Sequence, residues 1–249
     1  MSADPVLEVT GLGKRFGAFV ALQNVSVAFP AGQLSAIIGP NGAGKSTFFN
    51  LISGALAPSS GKVVFEGRDI TGLAQHQFAR IGIAKSFQIT NLFKQLSAFE
   101  NVRVAAQMRQ SRFELFKPRA ALYEVAEQAE ALLRRVGLAD LRHRNAGELA
   151  HGQQRALEIA MALASQPRLL LMDEPTAGMS PEETGVMMDL ITALAAERTV
   201  VLVEHKMKLV MGICQRLVVL HQGELLAQGT PAEVRANPEV RRVYLGQHG

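Results

Sequence analysis

Short, nearly continuous apolar runs alternate with longer stretches of helical periodicity in most of this chain. Leu34-Ser35-Ala36-Ile37-Ile38, Leu169-Leu170-Leu171-Met172-Asp173, Val200-Val201-Leu202-Val203-Glu204 and Leu217-Val218-Val219-Leu220 carry no regular polar face. Runs of this length and evenness are expected of strands covered on both faces of a largely parallel sheet. Ile83-Ala84-Lys85-Ser86-Phe87 is strand-like as well. Near the N-terminus the pattern differs: Val6 to Val9, Gln23 to Phe29 and Lys62 to Glu66 are short strands before any long helix, predicting a small antiparallel sheet beside the core. The glycine-rich Gly11 to Gly17 reads as a turn between the first two, and Pro30-Ala31-Gly32 and Pro58-Ser59-Ser60-Gly61 as further turns.

From about Ser97 the period changes to that of a helix. Ser97-Ala98-Phe99-Glu100 has capping-box spacing and opens a helix to about Met108. After the interruption at Arg112 to Lys117, Leu122, Val125, Ala126, Ala129, Leu132, Leu133 and Val136 recur at offsets of three and four until Gly137. Pro181 to Glu197 and the stretch after Thr230-Pro231-Ala232-Glu233 are further helices, the latter with proline at its first position. The whole reads as a single α/β domain over residues 1–249. Segments 1–88 and 161–249 form the mostly parallel core with its antiparallel part, and 89–160 is an inserted helical subdomain.

Composition narrows the class. Hydrophobic residues make up 48% of the chain, yet no apolar run approaches the roughly 18 residues that cross a bilayer. Met1 to Pro5 lacks the basic start and apolar stretch of a signal peptide. The lone Cys214 has no internal disulfide partner, which suits a reducing compartment. The surplus of 26 basic over 22 acidic residues is the charge of an ordinary solvated surface. Arg134, Arg135, Arg142 and Arg144 cluster without interleaved aromatics, so no nucleic-acid partner is expected.

The chemistry centres on Gly39-Pro40-Asn41-Gly42-Ala43-Gly44-Lys45-Ser46-Thr47, which fits G-x-x-x-x-G-K-[ST] without mismatch. It stands between an apolar strand and a helix ending near Gly54, the context in which backbone N–H groups can cradle phosphates. This is a P-loop nucleoside triphosphatase motif: Lys45 can reach β- and γ-phosphates and the Ser46 hydroxyl can ligate Mg²⁺. Asp173, at the end of a buried strand, can also serve Mg²⁺, and Glu174 can accept a proton from an attacking water. Gln88, placed after a strand, can sense the γ-phosphate through Mg²⁺ or that water, and His205 can touch the γ-phosphate. Phe16 offers an aromatic face to a base. In isolation these three are more often a loop glutamine, a solvated strand-end histidine and a core aromatic than site residues.

The segment Leu149-Ala150-His151-Gly152-Gln153-Gln154-Arg155 precedes a helical run and then the acidic strand. With it, the chain from Val6 to Leu245 resembles the ATP-binding subunits of ABC transporters in the order of all its motifs. The resemblance implies that Phe16 stacks on adenine, Gln88 couples the site to a membrane subunit, Asp173 serves Mg²⁺, Glu174 is the base and His205 the switch histidine. It makes Leu149 to Gln153 the family signature, usually L-S-G-G-Q; here Ala150 replaces the serine and His151 the first glycine. Ser180 stands where the family usually has the D-loop aspartate. The L-A-x-G-Q-Q-R signature, the Ala177-Gly178-Met179-Ser180-Pro181 loop, Glu204-His205-Lys206-Met207, and the ending Asn237-Pro238-Glu239-Val240…Tyr244-Leu245-Gly246 are similar to those of branched-chain amino acid importers. Urea-import and lipopolysaccharide-export ATPases share part of that pattern, and a soluble ABC ATPase or a small-molecule kinase are the competing classes.

The resemblance implies ATP and Mg²⁺ as ligands, and a head-to-tail pair of ATP-binding subunits, each signature facing the other's phosphate loop. It also implies integral membrane permease subunits, indirectly a solute-binding protein, and a peripheral place on the cytoplasmic face of the plasma (inner) membrane. Leu92 and Phe93, apolar in a loop, are candidate docking contacts.

Overall fold

The computed structural model describes residues 5–86, 92–107 and 119–245. In chain order the principal elements are strands β1 (Pro5–Phe16), β2 (Phe19–Pro30) and β3 (Leu34–Ile38), helix α1 (Lys45–Ile52), β4 (Ser60–Phe65), β5 (Arg68–Asp69), α2 (Gln75–Ile81) and β6 (Ile83–Ser86). Three helices follow, α3 (Ala98–Gln107), α4 (Arg119–Arg135) and α5 (His151–Leu163). Then come β7 (Leu169–Asp173), α6 (Pro181–Ala195), β8 (Thr199–Val203), α7 (Met207–Ile213), β9 (Arg216–His221), β10 (Glu224–Gly229) and α8 (Pro231–Ala236).

Two sheets result. β2-β1-β4-β5 are antiparallel, and the second sheet runs β10-β9-β3-β8-β7-β6. Within the second, β9, β3, β8, β7 and β6 are parallel and β10 alone is antiparallel, at an edge. Every residue of β3, β7 and β8 is buried, and the period of two divides them between two apolar cores. Ala36, Leu170, Met172, Leu202 and Val219 belong to the core that includes α4, α5 and α6. Ile37, Leu171, Val201, Val203 and Val218 belong to the one shared with α1 and the antiparallel sheet. Burial on both faces is why these strands read as unbroken apolar runs. β6 and β7 pair directly, Ile83 opposite Leu169, although α3, α4 and α5 lie between them in sequence.

The expected turn at Gly11 to Gly17 is strand as far as Phe16, and the chain turns only at Gly17 and Ala18. β1 continues to Phe16 through several register shifts against β2, with Gly11 at φ 60°. The glycines serve close sheet packing: a Cβ on Gly61 of β4 would lie 2.3 Å from the Gly11 carbonyl oxygen. The hairpin strand β10 and the helix α7 are absent from the sequence reading. β10 is an edge strand of mixed exposure with no apolar alternation.

Helix ends follow the predicted chemistry. Ser97 Oγ accepts from the Glu100 N–H at 3.2 Å, but the Glu100 carboxylate turns to Arg103 rather than completing the box. Thr230 and Glu233 do form the reciprocal box at α8, and Gly137, at φ 74°, follows the end of α4. Met108 and the segment from Arg112 to Lys117 lie outside the described residues.

Candidate active site

Parallel strands deliver their C-terminal ends to one edge, where open α/β sheets place their ligands. Asp173 and Ile37 both pair with Val203, so the loops leaving β3, β7 and β8 emerge side by side. The loop after β3 is Gly39 to Gly44. Gly39 has φ 156°, and a Cβ there would meet the Leu220 carbonyl oxygen at 2.3 Å. Gly42 (φ 77°) and Gly44 (φ 96°) are also left-handed, Gly44 being the N-cap of α1. Phe48 N–H donates to Gly44 O at 2.8 Å as the first helical bond. The amides of Lys45, Ser46 and Thr47 therefore project from the helix end, the arrangement that binds anions. Pro40, Asn41 and Ala43 complete the loop; Ala43 is buried, Asn41 and Ser46 are exposed and Thr47 is half-buried.

Lys45 is 8% exposed. Its ammonium folds back to donate to Gly39 O at 2.8 Å and Pro40 O at 2.9 Å. Burial lowers its pKa, while the charges of Glu174 and Asp173 act to raise it. Asp173 closes β7, buried; desolvation raises its carboxyl pKa against the attraction of Lys85, Arg155 and Lys45. Glu174, one residue on, adopts φ 45°, a conformation costly for a residue with a Cβ. It is held there by main-chain bonds, its N–H to Val203 O and its carbonyl accepting from Ala177 N–H, each 3.0 Å. Glu174 Oε1 lies 3.7 Å from His205 Nδ1, with both side chains partly exposed.

The fold thus brings Lys45, Asp173, Glu174 and His205 to one place, beside the exposed Ser46. Phe16 stands apart at the β1–β2 hairpin, 47% exposed, with Lys14 Nζ 5.1 Å from its ring centroid. Gln88 lies outside the described residues. Leu92 is buried and Phe93 exposed, so only the second offers itself to a partner.

Leu149 to Gln153 lead into α5. Leu149 is buried, and Ala150 is the N-cap with no side chain to satisfy the helix end. Gln153 Oε1 accepts from Ala150 N–H at 3.0 Å, and Gln154 Nε2 donates to Leu149 O at 2.9 Å. His151 is exposed. Gly152 N–H donates to Glu183 Oε1 at 3.3 Å, while Glu183 Oε2 accepts from Ser180 N–H at 3.0 Å. One carboxylate therefore joins the starts of α5 and α6, and a Cβ on Gly152 would lie 2.9 Å from it. Ser180 is the N-cap of α6, its hydroxyl accepting from Glu183 N–H at 3.2 Å. Among the described residues, no hydrogen bond, ion pair or electrostatic coupling joins 149–153 to 39–47.

Sequence reasoning missed three contributors. Lys85, on β6, donates to Asn50 Oδ1 at 2.9 Å, sits 4.9 Å from the Phe49 ring centroid and couples to Asp173. A lysine inside an apolar strand run was the available signal. Glu183 and Glu204 reach residues 31 and 28 positions away; the S-x-x-E spacing from Ser180 marks Glu183 as a helix cap but not its bond to Gly152, and no spacing marks Glu204 with Thr176.

The family pattern "ABC transporter" matches residues 22–177, and "Branched-chain amino acid ATP-binding cassette transporter" matches 224–249. The high-affinity branched-chain amino acid transport ATP-binding protein BraF of Pseudomonas aeruginosa is 44% identical over 98% of each chain. LivG of Escherichia coli K12, with the same description, is 41% identical over 98% of this chain and 99% of its own. The lipopolysaccharide export system ATP-binding protein LptB of Acidithiobacillus ferridurans is 36% identical over 97% of each. Among solved structures, the ADP conformation of an ATP-binding cassette of an ABC transporter superposes with a TM-score of 0.85 at 32% identity, covering 97% of this chain and 99% of that one. With a phosphate loop, an acidic strand end and matches along nearly its whole length, the chain belongs to the ABC transporter family, as an ATPase subunit.

Proposed function

We propose that this chain hydrolyses Mg²⁺-ATP to power a membrane importer of branched-chain amino acids. The observation that carries the mechanism is the separation of two phosphate-binding helix starts. The α1 start, with Lys45, gathers Asp173, Glu174 and His205, whereas among the described residues no hydrogen bond, ion pair or electrostatic coupling joins the α5 start, with Gly152, to that loop. Two subunits placed head to tail would each complete the other's site, with Leu149 to Gln153 of one facing the triphosphate held by Gly39 to Thr47 of the other. Main-chain N–H groups carry the signature's contribution, because Ala150 has no hydroxyl.

Phe16 stacks on the base, and the P-loop amides and Lys45 hold the β- and γ-phosphates. Ser46, Asp173 and Gln88 would hold Mg²⁺. Hard oxygen donors of this kind, few in number and next to phosphates, suit an ion that keeps several waters. Bound there, Mg²⁺ would neutralise charge on the phosphate oxygens. Glu174 accepts a proton from the water that attacks the γ-phosphorus as its bond to the β,γ-bridging oxygen breaks, while His205 contacts the γ-phosphate. Release of phosphate removes the bridge between subunits, and the opening is passed through the helical unit 89–160 and the exposed Phe93 to permease subunits. Among the described residues no helix is long and apolar enough to cross a membrane. A peripheral place on the cytoplasmic face, beside permease subunits served by a solute-binding protein, is the corresponding location.

The solute assignment is supported by the match at 224–249 and by BraF and LivG. Its test is reconstitution in vesicles with the membrane proteins encoded beside it. ATP hydrolysis is expected to rise when binding protein loaded with leucine, isoleucine or valine is added. Stimulation by another solute class alone would overturn the solute, and absence of hydrolysis with and without partners would overturn the enzyme.

A further inference from the structure

Directly after β8 stands Glu204, an acidic side chain with no exposure to solvent. Burying a carboxylate is unfavourable unless both oxygens find donors. Here both do. Oε1 accepts from the Thr176 hydroxyl at 2.6 Å and from Thr176 N–H at 3.3 Å, and Oε2 accepts from His205 N–H at 3.2 Å. Thr176 is fully buried too, and its carbonyl oxygen accepts from Lys206 Nζ at 3.2 Å. The Glu204 N–H is itself fixed to Ile37 O at 3.3 Å, on the strand that feeds the phosphate loop. Cys214 also senses this group: burial first, and the Glu204 charge second, push its thiol up to about 12.

The carboxylate therefore ties the turn that carries Glu174 to the main chain of His205. Thr176 lies two residues after Glu174, whose left-handed backbone persists only where its surroundings over-determine it. The neighbouring strands β7 and β8 fix the two loops where they begin, and Glu204 fixes them to one another just beyond. We propose that Glu204 is a positioning residue for ATP hydrolysis, setting the 3.7 Å relation of Glu174 to His205 from beneath the site. The proposal rests on the roles given above to Glu174 and His205. A glutamine replaces it only in part. With its one acceptor oxygen on His205 N–H, its amide can donate to the Thr176 hydroxyl but sets a second donor against Thr176 N–H; turned the other way, it points that donor at His205 N–H.

The experiment is a double-mutant cycle on the ATPase turnover of the full chain. Glu204→Gln is expected to lower kcat about ten- to hundredfold, with the half-saturating ATP concentration changed by less than about threefold. His205→Ala should lower kcat on its own, and adding Glu204→Gln to it should cost little more, because the positioned group is gone. Thr176→Val, which removes the 2.6 Å bond but keeps Glu204, should follow Glu204→Gln. Thr176→Ser, which keeps the hydroxyl, should lose less; this pair carries the test if Glu204→Gln fails to fold. Unchanged kcat in Glu204→Gln overturns the proposal, as does an equal fold-loss in the parent and His205→Ala backgrounds. Full activity in His205→Ala instead overturns the role of His205, and an impaired Glu204→Gln beside it would show that Glu204 positions something else.

Discussion

Glu174 Oε1 and His205 Nδ1 lie 3.7 Å apart across the ends of two adjacent parallel strands. Both side chains are partly exposed, so the Glu174 carboxylate is within reach of solvent water. Glu174→Gln is expected to preserve ATP binding, favour the closed dimer, and reduce turnover by about 10²–10⁴, the range of a positioned general base. Phosphate release and nucleotide binding measured on the same preparation check this, and parental turnover in the variant would remove Glu174 from that role.

Two glycines of the phosphate loop should respond differently to a methyl group. Gly39→Ala drives a Cβ to within 2.3 Å of a main-chain oxygen, whereas a Cβ on Gly42 meets nothing within 4 Å. Gly39→Ala is therefore expected to lose about 3 kcal/mol or more of stability. Gly42→Ala should lose only about 1–2 kcal/mol, from its left-handed backbone. Urea unfolding distinguishes them, and equal losses would contradict the close approach to Leu220.

Ala150 caps α5 without an acceptor. Ala150→Ser supplies one for the Gln153 N–H and is expected to stabilise the chain by about 1 kcal/mol, a rise of roughly 2–4 °C in Tm for a chain of this size. It also restores the hydroxyl of the family signature, so ATP affinity is expected to increase. Unchanged Tm, affinity and turnover would mean that the existing bonds already compensate.

Burial raises the Asp173 carboxyl pKa more than its basic neighbours lower it. The folded protein then takes up this proton at a higher pH than the unfolded chain does. Its contribution to stability is thus greatest at acid pH and is lost as pH rises through the folded pKa. Relative to Asp173→Asn, the parent should gain stability as pH is lowered from neutral. Chemical denaturation at a series of pH values reads the difference directly, and the opposite slope would mean that Lys45, Lys85 and Arg155 outweigh desolvation.

Those features that depend on contiguous residues were legible before the structure. The strand, phosphate loop and helix from Leu34 to Ile52, and the strand ending at Asp173, follow from apolar runs and glycine spacing. Other features arise from contacts distant in sequence. The bulged continuation of β1 from Gly11 to Phe16 depends on its two neighbours, so glycine content alone pointed to a turn. Leu92, expected at the surface, is absorbed by the core beneath α3 and α5. Glu204 could be recognised only as part of a branch-specific run, since its partner Thr176 is 28 residues away.

The β9–β10 turn is wedged between β2 and the phosphate loop: Gln23 N–H donates to Gly223 O at 2.8 Å and Gly223 N–H to Ala43 O at 3.1 Å. A Cβ on Gly223 would lie 2.9 Å from Ala21 O, and one on Gly44 3.0 Å from the same atom. Main-chain hydrogen bonds thereby tie β2, the strand that completes the hairpin of Phe16, to the loop bearing Lys45. On the proposed stacking of a base on Phe16, that tie would set how far base and phosphates stand apart.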